Sequence, residues 1–255
     1  MRTLVIGDIH GNYKGLLQCL ERAGYNPNHD QIISLGDIAD GYPETAECVE
    51  YLCNLPGFIW ILGNHDKWVQ DWFSGKLDMG GISQAVSTKS FSYLRDPEAY
   101  SWISQGGLAT YLSYTLHNPK LIEGHRKYWL YRPQLYRVIN NRCFVHGGWN
   151  REEFIHDEAH KYPHVLYWDR SLWRKAMTVV GKNIKLQMKD NFTDTFIGHT
   201  ATTYWDTTEP IYRGGIWNID TGAGWGGKLT IMDVETKEYW QSDLATELYP
   251  GYVGR

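Results

Sequence analysis

Apolar and β-branched residues gather along this chain in short runs, and the runs break on glycine. Arg2-Thr3-Leu4-Val5-Ile6 leads into Gly7-Asp8-Ile9-His10-Gly11, and Gln31-Ile32-Ile33-Ser34-Leu35 into Gly36-Asp37-Ile38-Ala39-Asp40. Phe58-Ile59-Trp60-Ile61-Leu62 leads into Gly63-Asn64-His65-Asp66. Apolar runs of this length, bounded by turn residues, predict buried strands. The stretches between them carry helical patterns. Residues 13–23 place Leu16, Leu17 and Leu20 on one face, and Gly24 stops the helix. Pro43-Glu44 opens a second helix to about residue 54, with proline and an acidic side chain where a helix start favours them. Residues 67–73 predict a third. This alternation predicts a right-handed parallel sheet and an α/β fold.

Periodicity fades between residues 74 and 137, a stretch rich in Ser, Gly and Tyr. It is expected to be helical and loop material, a variable region capping a crevice. Strand signals return with Cys143-Phe144-Val145 before His146-Gly147-Gly148, and with Thr195-Phe196-Ile197 before Gly198-His199-Thr200. Ile216-Trp217-Asn218-Ile219 precedes Asp220-Thr221-Gly222, and residues 229–234 and 238–241 predict a closing hairpin. With no linker, repeat or low-complexity tract, residues 1–255 are expected to form a single domain.

Composition narrows the class. A chain of 255 residues, 42% hydrophobic and 21% charged, is long enough to bury a full core. The net charge of −4 provides no general basic field for long nucleic acid. No apolar stretch approaches the ~18 residues that span a bilayer, so no membrane partner is expected. The four cysteines (Cys19, Cys48, Cys53 and Cys143) form no C-x-x-C pair, and a strand follows the first residue at once, without a leader pattern. A cytoplasmic protein with reduced thiols is the expectation. The 12 Trp and 18 Tyr should be mainly packing residues, with a minority lining a cleft.

In open α/β sheets, ligands gather at the carboxyl ends of strands. Asp8, His10, Asp37, Asp40, Asn64 and His65 should therefore converge, joined by His146 and His199 from the later strands. Carboxylates, imidazoles and an amide oxygen in one place suit divalent metal ions. Two such ions acting on a phosphoester need a shared carboxylate, further ligands on each side and a proton donor for the leaving group. Asp8 and His10 can turn toward one ion, with Asp37 as the bridge. Asn64 offers its oxygen to metal or its NH₂ to a phosphoryl oxygen. His146 and His199 complete the second ion's shell. His65, held by Asp40, suits general-acid work. Each motif alone is a weak signal; five in this order, each after an apolar strand, are a strong one. His156, His160 and His164 recur at helical spacing, but Pro163 breaks that helix and they are expected at the surface.

The set GDIHG, GDIAD, GNHD, VHGG and IGHT resembles the calcineurin-like metallophosphoesterases, and within them the phosphoprotein phosphatase branch. Residues 218–230 are similar to the ends of bacterial and phage members, among them serine/threonine phosphatases and symmetrical diadenosine tetraphosphatases. The likeness covers about residues 2–241. It implies two packed mixed β-sheets flanked by helices, with a dinuclear site at the sheet edge. By this resemblance Asp8, His10 and Asp37 hold one metal, and Asp37, Asn64, His146 and His199 the other. His65 protonates the leaving oxygen and Asp40 orients it. Manganese is the expected ion, with iron or zinc as alternatives.

One departure stands out. The family's second motif normally continues Arg-Gly, where the arginine grips phosphate, but here Asp40 precedes Gly41-Tyr42-Pro43. Tetraphosphatases of the family usually keep that arginine and lose the aspartate. Retention of Asp40 favours a phosphomonoesterase, a serine/threonine phosphoprotein phosphatase working by direct attack of a metal-bound hydroxide. The alternative is a dinucleoside tetraphosphate hydrolase or a nucleotide or RNA-end phosphodiesterase. Arg170, in Tyr167-Trp168-Asp169-Arg170-Ser171, is the candidate second phosphate-binding arginine, set against a local pair with Asp169. Arg126, Arg132 and Arg137 are weaker candidates. The expected partners are a phosphorylated protein or a small phosphoester. A non-catalytic scaffold would have lost a ligand or His65, and none is missing.

Overall fold

The computed structural model describes residues 1–115, 117, 119–181 and 184–255. Its strands are β1 (Arg2–Ile6), β2 (Asp30–Ser34), β3 (Ile59–Trp60), β4 (Tyr136–Ile139), β5 (Arg142–Val145), β6 (Asp194–Ile197), β7 (Ile211–Arg213), β8 (Ile216–Asn218), β9 (Thr230–Asp233) and β10 (Tyr239–Gln241). They form two five-stranded sheets, ordered β10-β9-β1-β2-β3 and β4-β5-β6-β8-β7. In the first, β1, β2 and β3 run parallel while β9 and β10 add an antiparallel edge. In the second, β5, β6 and β8 run parallel between antiparallel β4 and β7. The parallel sheet expected from the early motifs is thus the core of a mixed sheet, because the closing hairpin pairs back onto β1.

Side-chain alternation explains why the strands read as continuous apolar runs. Along β1, Leu4 and Ile6 face one way into a helix-covered core, while Val5 faces the other way, toward the second sheet. On the second sheet, Phe144 and Phe196 face the first, stacked at 5.1 Å, while Cys143, Val145 and Ile197 face the opposite helices. Val5, Ile33, Phe144, Phe196 and Met232 are among the residues closing the layer between the sheets. The result is helix, sheet, sheet, helix. The four cysteines are buried and unpaired within these layers.

Helices α1 (Tyr13–Arg22), α2 (Thr45–Cys53) and α3 (Asn64–Phe73) connect and follow the first three strands. The last begins earlier than the apolar pattern predicts. Asp66 accepts from the Gly63 amide at 3.2 Å and from the Ile38 amide at 2.9 Å. A carboxylate in the first turn thus extends the helix back to Asn64 and ties it to the neighbouring loop. Residues 74–137 fold into α4 (Ile82–Thr88), α5 (Pro97–Trp102), α6 (Leu108–Thr115) and α7 (Pro119–Tyr131), with Leu116 and Asn118 outside the described residues. Helices α8 (Ile155–Lys161), α9 (Val165–Trp168) and α10 (Ser171–Met177) lie in the chain between β5 and β6, and α11 (Ala245–Leu248) follows β10. His156, His160 and His164 are exposed, as their spacing around Pro163 predicts. No helix among the described residues is long and apolar enough to cross a membrane.

Candidate metal centre

The parallel strands of both sheets end in one crevice. Asp8 lies just beyond β1, Asp37 beyond β2, His146 directly after β5 and His199 beyond β6, while Asn64 opens α3 after β3. Ligand atoms of Asp8, His10 and Asp37 lie within 4.8 Å of one another, and so do those of Asp37, His146 and His199. Asp37 belongs to both groups. Its Oδ2 is 3.8 Å from His10 Nε2 and 3.4 Å from His146 Nε2. Asn64 Oδ1 lies 3.1 Å from His146 Nε2. All of these side chains are buried.

The turns that aim them are strained. His10, Asp37, Asp40 and His199 have φ of +54°, +49°, +74° and +67°, a left-handed backbone that side chains other than glycine rarely adopt and that collects at functional sites.

Each imidazole is held by one nitrogen and presents the other. His10 Nδ1 donates to Ala39 O at 3.0 Å, His146 Nδ1 to Leu35 O at 2.8 Å, and His199 Nε2 to Trp168 O at 3.2 Å. Carbonyl acceptors of this kind set the tautomer of a metal-bound histidine. On the inner side, Asp37 Oδ2, His199 Nδ1 and Asp220 Oδ2 are buried with no hydrogen-bond partner. Buried polar atoms are ordinarily paired. Orphaned oxygen and nitrogen donors facing a common space fit divalent ions, and so does the mixture of ligand types.

The electrostatics follow from crowding charge in a dry place. Burial, then the Asp220 charge, raises Asp8 well above the usual carboxylate range. Burial would raise Asp37 as well, but His146, His65 and His10 together outweigh it and hold Asp37 well below that range. Burial alone would lower His146, yet the Asp37 and Asp8 carboxylates push it up to about 9. His10 and His199 are lowered, first by burial.

Beside this cluster, His65 Nδ1 donates to Asp40 Oδ2 at 2.6 Å. Trp102 Nε1 donates to both Asp40 oxygens, at 3.0 and 3.1 Å, and the Asp40 amide donates to Thr110 Oγ1 at 2.8 Å. The His65 amide donates to Asp37 Oδ1 at 2.9 Å, joining this pair to the ligand cluster. Burial is the first cause for both members, raising Asp40 well up and bringing His65 down to about 3. Arg170 Nη1 donates to His199 O at 2.5 Å and to Thr200 Oγ1 at 3.0 Å. Asp169 instead accepts from Ser171 Oγ and the Leu172 amide, so no local Asp169–Arg170 pair is formed among the described residues. Arg126 and Arg132 bond to carbonyls of Phe73 and Cys53, and Arg137 pairs with Phe144 along β4.

Four further residues reach the site without having been anticipated in it. Asp220 lies just beyond β8 as the candidate ligands lie beyond their strands, a signal visible in the sequence. Asp66 stands inside the third motif. Trp102 and Arg255 carry no local signal; Arg255 Nη1 contacts His65 Nε2 across 190 residues of chain.

Two mixed sheets whose strand ends pool acidic and imidazole ligands in this way define a metallophosphoesterase. Comparison with known proteins agrees. The family model described as calcineurin-like phosphoesterase matches residues 1–202. The chain belongs to that family and is a phosphoester hydrolase. It is 42% identical to serine/threonine-protein phosphatase 2 of Salmonella typhimurium over 69 residues, 27% of this chain and 31% of that protein. It is 23% identical to the symmetrical bis(5'-nucleosyl)-tetraphosphatase of Pseudomonas putida over 277 aligned positions, covering 97% of this chain and 94% of that one. A metallophosphoesterase from Sphaerobacter thermophilus shares the fold with a TM-score of 0.55 at 18% identity, over 97% of this chain and 90% of that one.

Proposed function

We propose that the protein hydrolyses phosphomonoesters, with serine/threonine phosphoproteins as the substrate class, using two divalent ions, most simply manganese. Asp8, His10 and Asp37 would hold one ion; Asp37, Asn64, His146 and His199 would hold the other. Bound there, the pair would lower the pKa of water and offset charge on the phosphoryl oxygens. The protein's own groups do the rest. The Asn64 amide and the Arg170 guanidinium position phosphoryl oxygens. His65, which is neutral when the site is empty, takes up a proton from solvent at Nε2 when the phosphoryl charge enters beside it and passes that proton to the leaving oxygen, while Asp40 accepts from Nδ1 and holds the ring in line.

The Asp40–His65 hydrogen bond of 2.6 Å, with Trp102 bracing Asp40, carries this reading. An ester with a poor leaving group needs a proton delivered to it, and a buried, oriented imidazole is suited to that task. A second reading, dinucleoside tetraphosphate hydrolysis, is favoured by the full-length Pseudomonas relative. It also draws on a 330 Å³ groove lined by Arg170, Arg174, Thr200, Tyr204 and Trp205, where rings can stack on bases. Side-by-side turnover of a phosphoserine peptide and a dinucleoside tetraphosphate by manganese-loaded protein, with a chelated control, separates the two. Faster peptide turnover is expected; faster tetraphosphate cleavage would select the second reading.

A further inference from the structure

The segment after α11 returns to the crevice. Tyr249 packs on Tyr42 with ring centroids 4.8 Å apart, and its hydroxyl bonds the Glu44 carboxylate and accepts from the Lys14 amide. Beyond it, the Arg255 amide donates to Gly224 O at 2.9 Å. Gly254 is what lets the chain lie there: its φ is +82°, and a Cβ would meet Gly224 O at 2.3 Å. The Arg255 guanidinium sits 5.0 Å from the centroid of the Trp225 ring and touches His65 Nε2 through Nη1. Its Nε is buried without a partner, and no carboxylate pairs with it among the described residues. Position 41, directly beside it, has φ of +90°, and a Cβ there would stand 3.5 Å from the Arg255 amide nitrogen. The left-handed backbone at Gly41 disfavours a long side chain, and the returning segment occupies the adjoining space.

We infer that Arg255 is the cation that grips the substrate's phosphoryl group, brought into the site by residues 249–255 where the second motif offers only glycine. This rests on the phosphoester reading above. A guanidinium with free donors, placed over the proposed acid and without a carboxylate, is matched by a tetrahedral oxyanion that takes two parallel N–H bonds. Arg170 faces the same crevice from the β6 end. On substrate entry Arg255 Nη1 would exchange His65 Nε2 for a phosphoryl oxygen, leaving that nitrogen free to take up from solvent the proton it then passes to the leaving oxygen.

The test compares wild type, Arg255→Ala and Arg255→Lys, all manganese-loaded and checked for equal metal content. Inorganic phosphate binding is measured by calorimetry, and kcat and KM on p-nitrophenyl phosphate. Arg255→Ala is expected to weaken phosphate about 10- to 100-fold and to raise KM similarly, as befits a lost charge-assisted pair. Arg255→Lys should recover part of both. Phosphate affinity within twofold of wild type, or tighter binding with faster turnover as for a removed plug, would overturn the inference. A wild type that binds phosphate through Arg255 yet hydrolyses no phosphoester would uphold Arg255 and sink the functional reading instead. An active wild type whose alanine variant binds phosphate normally would do the reverse.

Discussion

The loops at the strand ends and the helices of residues 74–137 meet the same crevice in different ways. The loops place Asp8, His10, Asp37, Asn64, His146 and His199 around shared space, each carried by a strand or helix start whose position two packed sheets dictate. Among the described residues, the helices bring no candidate ligand. They touch the site through Trp102 and Thr110, which hold Asp40, and through Gly106, whose carbonyl accepts from the Gly41 amide. The geometry of the candidate ligands is thus a property of sheet architecture, while the orientation of the Asp40–His65 pair depends on tertiary contacts from a distant segment. Damage to the two regions should therefore separate metal binding from catalysis.

The largest separation is expected at His65. His65→Asn should lower kcat by about 10²–10⁴-fold on a substrate with a poor leaving group while metal content stays unchanged. Wild-type speed on that substrate would remove His65 from the acid role. Next is the proton balance of the ligand cluster. His146 without metal is pushed up to about 9, so at pH 7 it carries a proton that an incoming ion must displace. Metal affinity should then rise about tenfold per pH unit below that value and level off above it. Calorimetry in buffers of different ionisation enthalpy reads the released proton; no release at pH 7 would contradict the assignment. The smallest effect tests the helical side. Trp102→Phe removes the donor to Asp40 and should cost about tenfold in kcat with KM and metal content near wild type. Loss of metal in that variant would mean that residues 74–137 support the ligands after all.

These two regions also differ in how far the sequence exposes them. The ligand loops are legible because each follows a strand buried on both faces, which leaves an apolar run and then an abrupt polar motif. Asp220 follows the same rule. The edge strands β4 and β7 are not anticipated, since neither shows a buried alternating face; their residues are half-buried or exposed and depend on pairing with β5 and β8. The early start of α3 is hidden because Asp66 acts through backbone amides rather than through apolar periodicity. Trp102 and Arg255 lie 62 and 190 residues from their partners Asp40 and His65, and only the folded chain brings them together. Arg170 falls between these cases: its place beside the centre could be anticipated, but its bonds to His199 O and Thr200 required the structure.

The most direct measurement of the proposed centre is the number of manganese ions bound per chain, by equilibrium titration of wild type and Asp37→Ala. Because Asp37 belongs to both ligand groups, wild type should bind two ions, and the variant should lose that pair together with its activity. A variant that still binds two ions, or a wild type that saturates at one, would contradict a dinuclear site bridged by Asp37.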